Sequence, residues 1–174
     1  FTGVDVRGDL ITKARQMVKN AKFVKGSVLN KRTLNKCFFD KIFLIGVHPI
    51  FDTFEDCFNN LIYWTKPKGE ILICDMFNPH PVDVLIKYKL SKNYQSKVFE
   101  TGWNIFSQKS VSEYLKKNKK IKSFQFKKFE MPFDLKPQSD PIRSWTIKSN
   151  GKRLMTNGLS ILQPQILLKI KLKD

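Results

Sequence analysis

The chain has few of the residues that hold metals or disulfide frameworks. It contains three cysteines (Cys37, Cys57 and Cys74) and two histidines among 174 residues, and none stands at a metal-site spacing. An odd number of cysteines in apolar surroundings predicts reduced core thiols, as in a cytosolic protein. We therefore expect no metal site, no disulfide and a cytoplasmic location.

Several motifs that define other protein classes are also missing. The sequence has no Gly-x-Ser-x-Gly elbow and no phosphate-binding loop of the Gly-x-x-x-x-Gly-Lys type. Its apolar runs, such as residues 42–47, are far shorter than the ~18 residues that suggest a membrane-spanning helix. These absences argue against an α/β-hydrolase, a P-loop nucleotide hydrolase and a membrane-spanning protein.

Arginine is scarce although the chain is strongly basic. There are 27 lysines, five arginines and 15 acidic residues, which give a net charge of +17 at pH 7. Such a field attracts nucleic acids. Dedicated phosphate sites favour arginine, however, because its planar guanidinium pairs bidentately. The lysines are spread along the chain with a modest cluster at 116–128, so we interpret most of them as solvated surface residues.

The first 77 residues alternate between strand-like and helix-like segments. Leu10, Ile11 and Ala14 begin an apolar face at helical spacing, which predicts a helix over 9–20. Residues 40–47 form a nearly continuous apolar run, typical of a central parallel strand covered on both faces. Further patterns predict strands at 1–6, 22–25 and 70–76 and a helix around 54–62. This alternation predicts an α/β fold with a doubly wound, mostly parallel sheet and crossover helices.

The second half is less regular. We predict a helix over 82–90, a loop or lid over 93–104, a helix to Leu115 capped by Ser107 or Ser110, and a strand at 121–129. Asn150-Gly151 between two strand-like runs predicts a hairpin. Residues 166–173 alternate leucine or isoleucine with lysine, which indicates a strand with one wet face at or near a sheet edge. The sheet is therefore expected to finish in an antiparallel C-terminal hairpin.

The order of these segments resembles the class I S-adenosylmethionine (SAM) methyltransferases over residues 1–77. Asp5 closes a short apolar strand, and a helix containing Lys-Ala-Arg15 follows, as in the second strand and helix of that family. Phe23-Val-Lys-Gly-Ser-Val28 is similar to the family's third strand, and residues 39–48 to its fourth. Lys66-Pro-Lys-Gly-Glu-Ile-Leu-Ile73 resembles the Lys-Pro-Gly-Gly turn and fifth strand. The resemblance implies a single domain, with a cofactor-binding part at 1–77 and a substrate part with the final strands at 78–174.

The resemblance also implies SAM as the cofactor. In the family, the acid that ends the second strand accepts hydrogen bonds from both ribose hydroxyls, which assigns this role to Asp5, with Val6 packing near the adenine. Ser27 stands where the family has an acid for the adenine amino group, and Val28 follows it. The end of the fourth strand lies beside the methionine portion, which assigns Gly46 and Val47.

Catalytic and substrate residues are candidates from position alone. His48 follows the fourth strand, where a general base for a hydroxyl acceptor would stand, although a histidine that only packs there is an alternative. Asp75 ends the fifth strand and is either a substrate ligand or a satisfied helix-capping carboxylate. Trp103, Arg143 and Trp145 are further substrate candidates, and core aromatics with a surface arginine are the alternative.

The later part of the chain contains the segments Met76-Phe-Asn-Pro79, Gly102-Trp-Asn-Ile-Phe-Ser107, Met131-Pro-Phe-Asp134 and Arg143-Ser-Trp-Thr146. These segments resemble a bacterial branch of the family that acts on small molecules. The resemblance implies a small-molecule methyl acceptor, with a sugar or related metabolite as one candidate. An RNA or DNA methyltransferase, suggested by the charge, stays as an alternative, as does a non-catalytic methyltransferase-like binding module. An NAD-dependent dehydrogenase would share the acid at the second strand but gives no reason for the Pro-Lys-Gly turn.

The family's first strand and its glycine-rich loop have no counterpart in the sequence. In that family, the first strand lies between the strands that here end at Asp5 and Val47. We therefore expect residues 1–174 not to form a self-sufficient cofactor-binding unit. Either a segment of about 40 residues precedes Phe1, or another chain, such as a second copy, supplies the strand by strand addition.

Overall fold

The computed structural model describes residues 1–174. Its helices are α1 (Gly8–Met17), α2 (Glu55–Trp64) and α3 (Gln108–Lys117). Its strands are β1 (Thr2–Asp5), β2 (Lys22–Lys25), β3 (Phe39–Ile45), β4 (Thr65–Asn78), β5 (Lys87–Tyr88), β6 (Glu100–Thr101), β7 (Phe106–Ser107), β8 (Ile121–Lys128), β9 (Trp145–Ser149), β10 (Lys152–Thr156) and β11 (Gln165–Leu172). The mixed α/β class predicted from the sequence is confirmed.

The main sheet has the order β3-β4-β11-β8, and β7 pairs with the end of β4. β3 and β7 run parallel to β4, whereas β11 is antiparallel to both β4 and β8. Ile166 of β11 lies opposite Asp75 on one side and Lys128 on the other. The carboxyl ends of β3, β4 and β8 and the start of β11 therefore share one edge of the sheet, which we call the carboxyl edge.

One face of this sheet is buried by α2 and α3. Eighteen buried residues form a single core that includes Phe58, Val111 and Leu168. Strand β11 shows the alternation clearly, because Leu168 and Ile170 are buried and Lys169 is exposed. The period-two alternation in β11 thus confirms the predicted solvent-exposed face. The strand lies one position in from the edge strand β8.

The opposite face of the sheet is open at β3. Phe43 and Ile45 have exposed fractions of 63% and 69%, because neither α2 nor α3 packs on their side of the sheet. The expectation that this strand is covered on both faces is therefore wrong for residues 1–174.

Strands β1 and β2 form a separate parallel pair that carries α1. β1 pairs only with β2, and β3 pairs only with β4, so each has one edge without a strand partner. The segment after β2 joins this pair to α2, since Asn60 Nδ2 donates to the Val28 carbonyl (2.8 Å) and Trp64 Nε1 donates to the Lys31 carbonyl (3.0 Å). That a further strand lies between β1 and β3 stays a prediction.

One local expectation for the second half is wrong, and one of the two predicted caps of the following helix is confirmed. Residues 82–90 are not helical, because Val84 forms an antiparallel bridge with Ile105 and Ile86 N donates to the Asn104 side chain (2.7 Å). The cap of α3 is Ser107, whose hydroxyl accepts from Ser110 N (2.9 Å). The bridge and the hydrogen bond of residues 82–90 join positions 21 and 18 residues apart in the chain. Local apolar spacing does not reveal such contacts.

The predicted Asn-Gly hairpin is confirmed as β9 and β10. Asn150 and Gly151 have φ values of 49° and 72°, the left-handed conformations that a two-residue hairpin turn requires. The hairpin is a sheet of its own, inserted between β8 and β11. The antiparallel finish of the main sheet is instead the β8–β11 pair. No helix of the structure is long and apolar enough to cross a membrane.

Candidate functional site

Asp5 ends β1, and one of its two carboxylate oxygens is hydrogen-bonded within the protein. Its Oδ1 accepts a hydrogen bond from Arg7 N at 2.7 Å, and its Oδ2 has no donor within the protein. The side chain is only half-buried. The carboxylate is therefore held in place by the turn into α1, with one oxygen free to accept hydrogen bonds. Val6, next to it, is 58% exposed.

Ser27 and Val28 follow β2, and the end of β2 is bound to that of β1 by Gly26 N donating to the Asp5 carbonyl (2.9 Å). The Ser27 hydroxyl accepts from Leu29 N at 3.1 Å. A neutral hydroxyl that is already used in this way is a weaker acceptor than the family's carboxylate. The Ser27 hydroxyl can still donate its own hydrogen, because its O–H has no acceptor within the protein.

Gly46 and Val47 turn the chain at the end of β3. Gly46 has φ +64°, and no atom lies within 4 Å of the position a Cβ would take, so there is open space above it. Val47 N donates to Asp75 Oδ2 at 2.9 Å. The turn at the carboxyl edge is thus oriented by a carboxylate from the neighbouring strand.

His48 lies inside the core rather than at a surface. Its exposed fraction is 0%, its Nδ1 is 3.0 Å from Asp75 Oδ2, and its ring stacks on Phe77 with 4.7 Å between centroids. Neither ring nitrogen makes a hydrogen bond of acceptable geometry. A base must touch the proton it removes, and this imidazole has no contact with the outside. The alternative of a packing histidine therefore fits its position better.

Asp75 is likewise internal, with an exposed fraction of 3%. Its Oδ1 accepts from Met76 N (3.1 Å), while its Oδ2 faces Val47 N and His48. Both oxygens are occupied within the protein, so a satisfied carboxylate fits better than contact with a substrate, but it holds the Val47 turn and the amide of Met76 instead of capping an α-helix.

The nearby thiols are not nucleophiles at neutral pH. Burial, with a smaller contribution from the Asp75 carboxylate, raises the pKa of Cys57 to about 12 and also raises the pKa of Cys74. Both thiols stay protonated, which agrees with their interpretation as core residues. No cluster of His, Cys, Asp or Glu residues has the arrangement of a metal site.

The remaining substrate candidates are dispersed. Trp103 is half-buried with φ +64°, just before the buried Asn104. Arg143 is exposed and its Nε lies 3.4 Å from Asp140. Trp145 begins β9 opposite Thr156 of β10. They stand on separate segments, and none of them lines the cavity described next.

A cavity of about 630 Å³ lies at the carboxyl edge, between the main sheet and β10. None of the four predicted substrate residues lines it. Its wall includes Gln163, Lys152 and Phe126, which sequence patterns did not single out. No local signal marks Gln163, because a glutamine between a leucine and a proline is normally a surface loop residue. Only its burial, at 4% exposure, distinguishes it.

Comparisons with known proteins show a similarity in fold. No protein-family model matches the sequence, and no curated protein sequence is significantly similar to it. A SAM-dependent methyltransferase from Methanosarcina mazei aligns over 99% of this chain and 81% of its own, with 12% identity and a TM-score of 0.59.

Two methyltransferase structures solved with S-adenosylhomocysteine are also similar. The 1,6-didemethyltoxoflavin N1-methyltransferase of Burkholderia thailandensis, which also holds 1,6-didemethyltoxoflavin, has 13% identity and a TM-score of 0.53, over 99% of this chain and 61% of its own. The N-methyltransferase NodS of Bradyrhizobium japonicum has 12% identity and a TM-score of 0.52, over 99% and 66%. The chain therefore has the fold of the class I SAM-dependent methyltransferases.

Proposed function

We propose that this chain binds SAM between the end of β1 and the β3 part of the carboxyl edge and transfers its methyl group to a small molecule. The observation that carries the proposal is Asp5. It ends the strand that corresponds to the ribose-binding strand of the family, and it keeps one carboxylate oxygen free of internal partners. The similar structures bound to S-adenosylhomocysteine support the same cofactor class.

The residues at the strand ends fit part of such a cofactor. The free oxygen of Asp5 and its fixed partner Oδ1 suit a sugar diol, which offers two hydroxyl donors. Open space above Gly46 leaves room for a ligand to approach the backbone. Ser27 departs from the family's acid, so we expect the adenine amino group to be held less strongly here.

When bound, SAM would supply a methyl group on a sulfonium: the acceptor would attack the methyl carbon in line with the breaking carbon–sulfur bond, and S-adenosylhomocysteine would leave. The contribution of the protein is then mainly to hold the two reactants in the reacting geometry. We assign Asp75 and His48 to this task as positioning residues. Asp75 holds the amide of Val47 (2.9 Å), and His48 packs behind it against Phe77. An amine or a carboxylate acceptor needs no general base and is compatible with the burial of His48.

Calorimetric titration with SAM and S-adenosylhomocysteine tests the proposal. We expect Asp5→Ala to weaken binding by about 1–3 kcal/mol, because it removes a charged hydrogen-bond acceptor. Asp9→Ala is the matched control, since Asp9 carries the same charge four residues away and is exposed beside Arg7. It should change the affinity by less than about 0.5 kcal/mol.

The same measurements separate the alternatives. Equal affinity of the Asp5→Ala variant and the parent chain removes Asp5 from the site and with it the main support for SAM. Binding of SAM without transfer to any acceptor favours a binding module. Methyl transfer from labelled SAM onto RNA or DNA at physiological salt, with tight nucleic-acid binding, favours the nucleic-acid enzyme that the net charge suggests.

A further inference from the structure

The cavity between β10 and the carboxyl edge has the size and position of an acceptor site. Its volume of about 630 Å³ falls within the ~300–1,000 Å³ range of small-molecule pockets. Ile166 lines it and lies opposite Asp75, whose carboxylate holds the Val47 turn. Adjacent strands are about 5 Å apart. The cavity therefore begins about one strand spacing from Asp75 and the Val47 turn, where we expect SAM to bind.

Aromatic packing connects the same two places. The His48 ring stacks on Phe77 (4.7 Å), and Phe77 meets Phe126 edge to face (5.4 Å). Phe126 lines the cavity, together with other apolar side chains such as Phe129 and Leu154. The cavity therefore offers an apolar wall to the body of a ligand.

Gln163 is a residue of this wall, and its side chain carries a buried hydrogen-bond donor that has no partner within the protein. The residue is 96% buried, since its exposed fraction is 4%. Its main-chain N donates to the Met155 carbonyl (2.9 Å), and its side-chain Oε1 accepts from Ser144 Oγ (2.8 Å). The residue is thus held at its main-chain N and at its side-chain Oε1, yet its side-chain Nε2 has no partner. A buried donor without a partner is uncommon in folded proteins and calls for a ligand or water at that point.

The charges around the cavity favour an anion. Lys128 is paired with Glu130 (2.9 Å), and Arg153 is paired with Asp134 outside the wall. Lys152 forms no ion pair within 4.0 Å; the pKa of Glu130 is lowered mainly by its hydrogen bond with Lys128, and the charge of Lys152 is a minor cause. The charged residues that line the cavity are three cations and the Glu130 carboxylate, a net charge of +2, and both Lys152 and Gln163 Nε2 are donors without an internal partner.

We propose that this cavity binds the methyl acceptor, and that the acceptor is a small molecule with a planar apolar body and a carboxylate or carbonyl group. That group accepts a hydrogen bond from Gln163 Nε2, and a carboxylate gains further from Lys152. The assignment of this ligand as the acceptor rests on the proposed methyltransferase function, whereas the binding chemistry rests on the cavity alone.

Three probes with one ring and different head groups test the binding chemistry. Benzoate, benzamide and benzylamine are titrated into the full chain without cofactor, and binding is followed by ¹⁵N NMR, including the side-chain amide of Gln163. We expect benzoate and benzamide to bind and to shift the resonances of that side-chain amide. Benzylamine should bind at least about tenfold more weakly, because it cannot accept the hydrogen bond, and the loss of one charged hydrogen bond has an effect of this size.

Gln163→Glu is the decisive variant. It keeps the oxygen that accepts from Ser144 Oγ but replaces the donor by an acceptor. We expect benzoate affinity to fall by about ten- to hundredfold. Gln125→Glu makes the same chemical change on an exposed position of β8 outside the cavity and should leave affinity within about twofold.

Lys152→Met supplies a second test on an exposed side chain whose loss does not threaten folding. It should lower the affinity for benzoate several-fold and leave benzamide unchanged. Unchanged benzoate binding in both variants, a preference for benzylamine, or no saturable benzoate binding up to about 10 mM overturns the proposal. SAM binding without benzoate binding refutes this inference alone, whereas benzoate binding without SAM binding refutes only the methyltransferase function.

Discussion

Replacing Asp75 with alanine removes a buried carboxylate on which three groups depend. Val47 N and Met76 N donate to its two oxygens at 2.9 and 3.1 Å, and His48 Nδ1 lies 3.0 Å away. A hydrogen bond to a charged acceptor contributes about 1.5–3 kcal/mol. Because Val47 is half-buried and its amide regains some water, we expect a total loss of about 3–5 kcal/mol, the usual range for breaking a buried pair.

Urea denaturation followed by tryptophan fluorescence measures this loss, since Trp64 is 2% exposed and reports on the core. Asp40→Ala is the matched control. Its side chain is 82% exposed and paired only with Lys66, so it should lower the unfolding free energy by less than about 1 kcal/mol. A domain of this size has about 5–15 kcal/mol of stability, so the two variants should differ clearly in denaturation midpoint.

A double-mutant cycle then isolates the contact between the two buried side chains. His48→Phe is made in the parent chain and in an Asp75→Asn background, and a coupling of about 0.5–3 kcal/mol is expected for residues in direct contact. An Asp75→Ala variant within 1 kcal/mol of the parent, or a coupling of zero, would refute the positioning role that we assign to the pair.

Three further outcomes follow from burial. In the native protein only Cys37, which is exposed, should react quickly with a disulfide reagent; Cys57 should react only after unfolding, because it is 0% exposed and its pKa is raised to about 12. Burial raises the pKa of Tyr114 to about 12 as well, so between about pH 9 and 12 the unfolded chain loses these protons first, and calorimetric melting temperatures should fall as pH rises through this window. Ile73→Ala, at 0% exposure, should cost about 2–5 kcal/mol in urea denaturation, whereas Ile45→Ala, at 69% exposure, should cost less than about 0.5 kcal/mol. A large cost at Ile45 would mean that another segment or chain covers this face.

The sequence by itself determined the elements whose signals are local. The helical spacing of Leu10, Ile11 and Ala14 predicted α1, and Asn150-Gly151 predicted the β9–β10 hairpin, because only such residues adopt two left-handed conformations readily. The alternation in β11 likewise followed from period-two geometry.

Only the tertiary structure decided which face of each element is covered and which polar groups meet. Phe43 and Ile45 read as core residues, yet their exposure depends on whether another element packs on their side of β3. His48 at a strand end suggested a catalytic base, but Asp75, 27 positions later, and three phenylalanines enclose it. These outcomes depend on contacts between distant parts of the chain, which local patterns do not encode.

The candidate site divides in the same way. The role of Asp5 is a prediction from the resemblance to the class I family, and the structure adds that the turn into α1 holds its Oδ1 by the amide of Arg7. Gln163 was not predicted, because its role depends on Ser144, 19 positions earlier, holding its oxygen while Met155 holds its backbone. The unpaired amide becomes a candidate ligand contact only because the β9–β10 hairpin lies over the carboxyl edge and forms a cavity there, which only the tertiary structure shows.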